Sequence, residues 1–289
     1  MKIITYLIFT LFICENINAQ QFQKNFLGED YIFYQNAYFK VDVENEYGFN
    51  YCFYETLENC QQSYDSRVLY PSTLSRYKTT KDSLLNKIFL VERIINKNGE
   101  KLTGEMTCDN PIFILKDTLS KQLIYFKYDK MVDSDFPFLT TKTKYNATIL
   151  CNQIMREVDE FTNEININTP YPGLGESSSV ILYKSIKTGK TVYYLALQTN
   201  GSTLNVSKQG VTVLFEDGTK FSKPTAELDV DAADDGYAYS AFIPITLSEV
   251  QIFTKKRIKK FRLYIYDGEI TPQTAEKFTI WSQCVMENK

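Results

Sequence analysis

The sequence predicts a mainly β protein, with a small N-terminal β-barrel or rolled sheet followed by a β-sandwich that carries one or two short helices. Three observations lead to this fold class. The chain of 289 residues contains 21 tyrosines and 20 phenylalanines, and strands favour aromatic and β-branched side chains. Short apolar segments follow each other closely and are separated by turn residues. Helix signals occur at only a few places, and the length allows one large domain or two modest ones.

The first nineteen residues have the pattern of a secretory signal. Lys2 supplies the positive charge, residues 3–14 are almost continuously apolar, and Ala19 is a small residue at the cleavage point. The apolar run is shorter than the ~20 residues that a membrane-spanning helix needs. We therefore predict a cleaved signal at 1–19 and an exported protein, in the periplasm, on the cell surface or secreted, with no transmembrane segment in the mature chain. A retained anchor is the alternative.

The N-terminal domain is predicted at residues 20–137 and consists of closely spaced strands. Residues 96–99 form a turn sequence between two strand-like segments, which is typical of a hairpin. Several short strands in succession indicate a small barrel or rolled sheet. The polar segment 137–146 is the expected domain boundary. The expected strands are residues 31–43, 87–95, 100–108, 111–116 and 123–128.

The C-terminal domain is predicted at residues 146–289, and its first part is ambiguous. Leu150, Ile154 and Val158 would share one face of a helix. The alternating apolar residues that follow are instead typical of a strand, with residues 160–163 as a hairpin turn. We favour strands for residues 147–161.

Turn and capping signals define the rest of this domain. The turn sequences 187–190 and 216–218 each join two strand-like segments. A capping-box pattern opens a helix at Thr246, and Thr271-Pro272 opens a C-terminal one. The expected buried face of that last helix is Ala275, Phe278, Trp281 and Val285. The expected strands are 180–186, 191–199, 211–215, 219–221, 226–230, 237–245 and 258–266.

Composition excludes several chemistries. The chain has no histidine, which excludes Ser-His-Asp triads, Cys-His dyads and His-ligated metals. A net charge of −3 provides no basic field for nucleic acid. Ser75 and Lys78, together with Lys187-Thr188-Gly189, match two elements of a serine acyl-enzyme pattern, but the third element is missing.

Three segments resemble those of other proteins. They are residues 210–220, 258–264 and 159–162. In local sequence and strand pattern, the chain resembles uncharacterised exported β-rich proteins of Bacteroidota over its C-terminal half. The resemblance implies an envelope or secreted protein, and it carries over no functional residue.

Five cysteines follow the predicted signal. In an exported protein we expect disulfides among them. Two bridges among five cysteines allow fifteen arrangements, and the sequence does not choose one. The candidates are Cys52, Cys60, Cys151 and Cys284. Cys108 is the odd cysteine, to be read as a reactive thiol or as a small buried hydrophobe.

An acidic and a basic segment are the remaining charged features. The carboxylates Asp229, Asp231, Asp234 and Asp235 are dense enough to hold Ca²⁺, although EF-hand spacing is not met; the alternative is the solvated face of an edge strand. The basic run 255–260 could hold lipid phosphates or an acidic glycan, or could complement a helix end. No other metal or cofactor is predicted.

The functional prediction follows from the leader, the β pattern and the lack of a complete catalytic motif. We expect an exported non-enzymatic β-protein that binds a ligand or partner at the cell envelope, either an envelope protein or a glycan, and no nucleic acid. Exposed tyrosines are good binding surfaces for glycans or peptides. We expect most of the aromatic residues to fill cores and interfaces, and the single tryptophan, Trp281, lies on a predicted core face, which argues against a dedicated sugar-stacking platform. The alternatives are a secreted hydrolase that uses carboxylates or a His-free Ser-Lys pair, and a structural envelope component.

Overall fold

The computed structural model divides the chain into two compact units. The division falls between Lys144 and Tyr145, inside the segment 137–146 where the sequence predicts a boundary. The described residues are 22–24, 27–42, 53–61, 81–85, 87–102, 110–128, 136–141, 144–171, 178–233 and 236–288. No helix among them is long and apolar enough to cross a membrane. The predicted signal at 1–19 lies outside them.

The described strands of the N-terminal unit form one seven-stranded antiparallel sheet, in the order β1-β7-β2-β4-β5-β6-β3. The elements are β1 Phe22–Lys24, a 3₁₀ helix Gly28–Tyr34, β2 Tyr38–Val41, β3 Phe53–Tyr54, α1 Leu57–Gln61, α2 Lys81–Leu84, β4 Ile88–Ile95, β5 Ile112–Asp117, β6 Leu123–Lys127 and β7 Phe138–Thr141. The strands predicted at 87–95, 111–116 and 123–128 are confirmed as β4, β5 and β6.

This sheet is rolled, because strands far apart in the sheet order touch through their rings. Phe53 on the edge strand β3 and Phe138 on β7 have ring centroids only 5.6 Å apart. The ring of Phe126 on β6 lies 5.3 Å from that of Phe138. In a flat sheet, five interstrand spacings would hold β3 and β7 about 24 Å apart. The predicted rolled sheet is therefore confirmed, with aromatic rings filling its interior.

One strand prediction for this unit is partly wrong. Within the described part of the predicted strand 31–43, only Tyr38–Val41 is a strand, and residues 31–34 belong to the 3₁₀ helix. Residues 31–34 are all buried, so they lack the exposed alternate positions of a half-buried strand. Asn36 then adopts a φ of 68°, which turns the chain before β2 begins. The predicted strand 100–108 lies mostly outside the described residues.

The described strands of the C-terminal unit form two antiparallel sheets. One has the order β14-β15-β11-β10-β9-β8 and the other the order β13-β12-β16-β17. The elements are α3 Ala147–Cys151, β8 Met155–Val158, β9 Ile165–Asn168, β10 Ser178–Lys187, β11 Lys190–Gly201, β12 Gln209–Phe215, β13 Lys220–Glu227, β14 Asp229–Ala233, β15 Gly236–Ile245, α4 Leu247–Phe253, β16 Ile258–Leu263, β17 Tyr266–Glu269 and α5 Pro272–Glu287.

Both sheets contribute to one shared core. Leu182 and Leu195 of the six-stranded sheet belong to the same buried cluster as Val213 and Phe261 of the four-stranded sheet. Phe278 of α5 belongs to this cluster as well. Two sheets that bury their inner faces against each other form a β-sandwich. The predicted sandwich with short helices is therefore confirmed, and with it the mainly β fold class.

The two helix starts predicted in this unit are confirmed by their caps. Thr246 Oγ1 accepts a hydrogen bond from the Glu249 amide at 3.3 Å, and the Glu249 carboxylate accepts one from the Thr246 amide at 2.8 Å. Thr271 Oγ1 accepts one from the Thr274 amide at 3.2 Å at the start of α5. On α5, the predicted face is buried at Ala275, Phe278 and Val285 and partly buried at Trp281.

The strand interpretation of residues 147–161 is wrong for its first part. Residues Ala147–Cys151 form the helix α3, because Asn146 Oδ1 caps it by accepting hydrogen bonds from the amides of Thr148 and Ile149 at 2.9 and 3.3 Å. The later part is a hairpin of β8 and β9, as the alternation of apolar residues predicts.

Two segments predicted as single strands are each divided between two strands. Residues 258–266 break at Tyr264, whose φ of 54° lets the chain reverse from β16 into β17. Residues 226–230 contain the end of β13 and the start of β14, on either side of the buried Leu228. β13 and β14 belong to different sheets, and a pattern of alternation does not reveal a chain that changes sheets at a buried residue.

A disulfide joins α3 to α5. Cys151 and Cys284 are bonded, with their Cα atoms 5.4 Å apart and 133 positions apart in sequence. It therefore ties the beginning of the C-terminal unit to its last helix. Cys60 is buried on α1. Since Cys52 and Cys108 lie outside the described residues, the pairing of these three cysteines stays a prediction.

Lys184 is a buried lysine that completes the end of α5. Its Nζ donates to the carbonyl oxygens of Val285 at 3.4 Å and Met286 at 3.1 Å, and to that of Asn288. The last carbonyl groups of a helix have no partner within the helix, so a cation there satisfies them. Burial lowers the pKa of Lys184. We assign this lysine a structural role, because its three partners are backbone groups.

Candidate functional site

The outer face of the six-stranded sheet consists of the residues that alternate with its core residues. Leu182 on β10 and Leu195 on β11 point into the sandwich core, so their neighbours point away from it. Tyr183 on β10 is directly opposite Tyr194 on β11. Phe242 on β15 is opposite Ala196, two residues along β11 from Tyr194, so it lies on the same face. Three neighbouring strands thus place an aromatic ring on the outside of the sandwich.

These rings pack on one another, with Phe242 exposed to solvent and Tyr183 and Tyr194 half-buried. Tyr194 stacks on Phe242, with ring centroids 4.6 Å apart and planes 15° apart, and the edge-on ring of Tyr183 lies 5.5 Å from Phe242. The Tyr183 hydroxyl donates to that of Tyr171 at 3.2 Å. Phe242 and Tyr171 remain 55% and 57% exposed. We call these four residues the aromatic face.

The small side chain of Ala196 lets the rings meet. Ala196 is opposite Phe242 on one side and Ile181 on the other. Its methyl group leaves the space in which Tyr183 and Phe242 approach each other across β11. Ile181 is only 6% exposed although it points away from the core. The rings therefore belong to an apolar cluster on a rigid sheet, and such a surface binds without first having to be ordered.

The hydroxyl of Tyr183 stays protonated at neutral pH. Burial, followed by the hydrogen bond with Tyr171, raises the pKa of Tyr183 above its ordinary value. A neutral phenol on the aromatic face can donate or accept a hydrogen bond without adding charge.

Polar side chains border the aromatic face in a line across four strands. Asp229 on β14 is opposite Ser240 on β15, which is opposite Gln198 on β11. Gln198 is in turn opposite Ser179 on β10. Cross-strand partners share a face of the sheet, so these residues point the same way as the aromatic face. We call them the polar row. The surface therefore combines an apolar patch with a line of hydrogen-bonding groups, and the two come closest at Phe242 and Ser240 on β15.

The structure describes only two of the four candidate calcium ligands. Asp229 and Asp231 are exposed on β14, an edge strand of the six-stranded sheet, while Asp234 and Asp235 fall outside the described residues. Within the part of the chain that the structure describes, no group of three or more His, Cys, Asp or Glu side chains could hold a metal ion. Charged side chains on an edge strand also protect it from pairing with another chain. Calcium binding here stays a prediction.

Three of the basic side chains predicted to hold phosphate or acidic glycan are engaged in ion pairs. The pairs are Lys256 with Asp217 at 2.8 Å, Arg257 with Glu276 at 3.1 Å and Lys260 with Asp267 at 2.9 Å. Arg262 also donates to Asp267. Most of this positive charge is thus compensated within the C-terminal unit, which favours the structural alternative for the basic run.

These pairs predict a loss of stability in acid. The hydrogen bond from Lys256 holds the pKa of Asp217 at about 2, and that from Arg262 holds the pKa of Asp267 at about 2, against an ordinary 3.8. Because the folded-state pKa values are depressed, the pairs stabilise the fold fully above the ordinary value, and this contribution disappears as the pH falls towards 2. We expect the urea midpoint to fall in this window, and less steeply in Asp267→Asn. Asp229→Asn, which changes an exposed aspartate, is the control, and its urea midpoint should follow that of the unmodified protein. If the urea midpoint falls equally steeply with pH in all three proteins, the stabilising role of the Asp267 ion pair is contradicted.

The serine acyl-enzyme motifs are not brought together by any described contact. Ser75 and Lys78 lie outside the described residues. Lys187-Thr188-Gly189 forms the predicted hairpin turn between β10 and β11, where Thr188 and Gly189 have φ values of 48° and 76°. The Lys187 ammonium group pairs with the Glu164 carboxylate at 3.4 Å. The residues of this second motif therefore have a structural role, because they form the turn and the lysine forms an ion pair.

No protein-family model, curated protein or solved structure matches the chain. The chemistry of the aromatic face is therefore inferred from its own side chains. Sequence reasoning noticed the many tyrosines but did not locate this face. The signal was present in the predicted turn 187–190, because a two-residue turn fixes which residues of β10 and β11 lie opposite each other. Tyr183 and Tyr194 are equally distant from that turn.

Proposed function

We propose that the chain is an exported, non-enzymatic binding protein of the cell envelope and that its C-terminal unit binds a glycan through the aromatic face. The observation that carries the proposal is the stack of Tyr183, Tyr194 and Phe242 on the outside of the sheet. Exposed apolar surface of this kind marks interaction sites in soluble domains. Export is supported by the leader pattern, by the disulfide, and by the resemblance to exported proteins of Bacteroidota.

A glycan fits this surface better than a peptide does. A pyranose ring has an apolar face that can lie on an aromatic ring and hydroxyl groups around its edge. The aromatic face offers rings, and the polar row offers amide, hydroxyl and carboxylate groups beside them. An extended peptide is usually bound at a sheet edge, where backbone groups are available. β10, β11 and β15 are internal strands, and both their neighbours already use these groups.

The test is calorimetric titration of the protein with a panel of hexasaccharides. The panel contains uncharged hexamers of glucose, mannose, xylose and N-acetylglucosamine, and acidic hexamers of galacturonate and hyaluronan. We expect at least one of them to bind. Phe242→Ala should weaken that binding roughly tenfold or more, because truncating a central aromatic contact costs about 2 kcal/mol.

Phe161→Ala is the matched control. Phe161 is 98% exposed at the tip of the β8–β9 hairpin, so its removal deletes an exposed ring without touching the aromatic face. Its affinity should equal that of the unmodified protein. The proposal is wrong if no hexamer of either charge class binds, or if the two variants bind equally well.

A further inference from the structure

We infer that the ligand of the aromatic face is an uncharged glycan chain that lies across the strands, between the aromatic face and the polar row. The inference rests on the proposed function and adds the orientation and the charge of the ligand. It follows from the register of the six-stranded sheet and from the charges of the side chains that share its outer face.

The orientation follows from the polar row and from the ring of Phe242 beside it. The polar row crosses β14, β15, β11 and β10, a distance of about 14 Å at three interstrand spacings. The rings cross β15, β11 and β10 in the same direction and continue to Tyr171 through its hydrogen bond. On β15, Phe242 and Ser240 are two residues apart, about 7 Å along the strand, whereas on β11 Tyr194 and Gln198 are four residues apart, about 14 Å. A linear ligand that contacts Phe242 and several members of the polar row therefore runs across the strands.

The length of these lines has a consequence for affinity. One sugar unit covers only a part of a strip that crosses four strands. Each further unit brings another ring or polar group into contact, so affinity should rise with chain length until the strip is filled. The sheet holds all these groups in fixed positions, and the protein pays little to order them.

The charge of the ligand follows from the side chains on this surface. The eight residues of the aromatic face and polar row include one charged residue, Asp229, which is acidic. Asp231 points to the same side from the next outward position of β14, since it is opposite Ala238. A carboxylate accepts hydrogen bonds from hydroxyl groups but repels other carboxylates and sulfates. The surface therefore suits an uncharged chain and disfavours an anionic one.

The first test compares ligands in the same calorimeter. We expect affinity for the best uncharged sugar to rise about tenfold or more from disaccharide to hexasaccharide. The acidic hexamers should bind about tenfold more weakly than the best uncharged hexasaccharide. Raising the salt concentration should change the affinity of the uncharged hexasaccharide by less than about twofold, because no ion pair is involved. Tighter binding of an acidic hexamer, or equal affinities for disaccharide and hexasaccharide, would overturn the inference.

The second test uses the polar row itself. Gln198→Ala should weaken binding of the best uncharged hexamer by about fivefold to tenfold, because it removes a hydrogen-bonding amide. Gln251→Ala removes an exposed amide from α4 and is the matched control, with no change expected. Asp229→Asn should improve affinity for the acidic hexamers relative to the uncharged hexamer, because it removes the carboxylate that repels them.

The outcomes separate the inference from the proposed function. If Phe242→Ala weakens binding but Gln198→Ala and Gln251→Ala behave alike, the aromatic face binds a glycan that does not reach the polar row, and only the inference fails. If Phe242→Ala leaves binding unchanged, both the inference and the proposed function fail.

Discussion

Removal of the Cys151–Cys284 disulfide is expected to lower the free energy of unfolding of the C-terminal unit by about 5 kcal/mol. The bond joins residues 133 positions apart, and so long a closed loop greatly restricts the unfolded chain. Folded domains are stabilised by only about 5–15 kcal/mol in total. The double variant Cys151→Ala/Cys284→Ala should therefore be close to unfolding at room temperature.

Trp281 makes the measurement specific to this unit. It is the single tryptophan of the chain, it lies on α5, and its indole nitrogen donates to the side-chain oxygen of Gln153 at 3.2 Å. We expect the urea transition in tryptophan fluorescence to move to much lower concentration in the double variant. Dithiothreitol should shift the transition of the unmodified protein in the same direction and leave the double variant unchanged. A double variant with an unaltered transition would contradict the assigned role of the bond.

Phe138→Ala is expected to destabilise the N-terminal unit by about 3–5 kcal/mol. Phe138 on β7 is fully buried, and its ring centroid lies 5.1 Å from that of Phe39, 5.3 Å from that of Phe126 and 5.6 Å from that of Phe53. These partners come from β2, β6 and β3, so one side chain connects strands along the whole rolled sheet. Its truncation leaves a cavity in the interior of the rolled sheet.

Hydrogen exchange of amides in β4, β5 and β6 measures this effect, because the tryptophan lies in the other unit. We expect their protection to fall by a factor that corresponds to the lost stability. Leu119→Ala is the control in the same unit, since Leu119 is 83% exposed in the turn after β5. Equal protection in the two variants would contradict a rolled sheet whose interior is held together by these rings.

Local signals in the sequence were sufficient where one short segment determines the structure. The Thr246 capping box, the Thr271-Pro272 helix start and the turn 187–190 are all formed as their residues predict. In each case the decisive hydrogen bonds or backbone angles lie within four residues of the signal, so distant contacts have little to change.

The errors fall where the structure depends on distant partners. Residues 147–151 are too short for a clear helical period, and their helix depends on the Asn146 cap and on the disulfide to α5. Residues 226–230 change from one sheet to the other at Leu228, which no local pattern reports. Tertiary packing decides the second segment, whereas the first also has a local signal in the Asn146 cap.

The aromatic face is intermediate between these cases. The turn 187–190 implies that Tyr183 and Tyr194 lie opposite each other, so this pair was within reach of the sequence. Phe242 joins them only because β15 pairs with β11, almost fifty residues away in the chain. Strand order of this kind follows from the packing of the whole sandwich, and the sequence alone contains no short signal for it.

The most direct test of the glycan-binding proposal is a crystal structure of the protein with the uncharged hexasaccharide that binds it most tightly. We expect one sugar ring to contact the exposed ring of Phe242, the chain to run across β15, β11 and β10, and a hydroxyl group to lie within hydrogen-bond distance of Gln198. A hexasaccharide bound elsewhere on the protein, with the aromatic face still open to solvent, would contradict the proposed function.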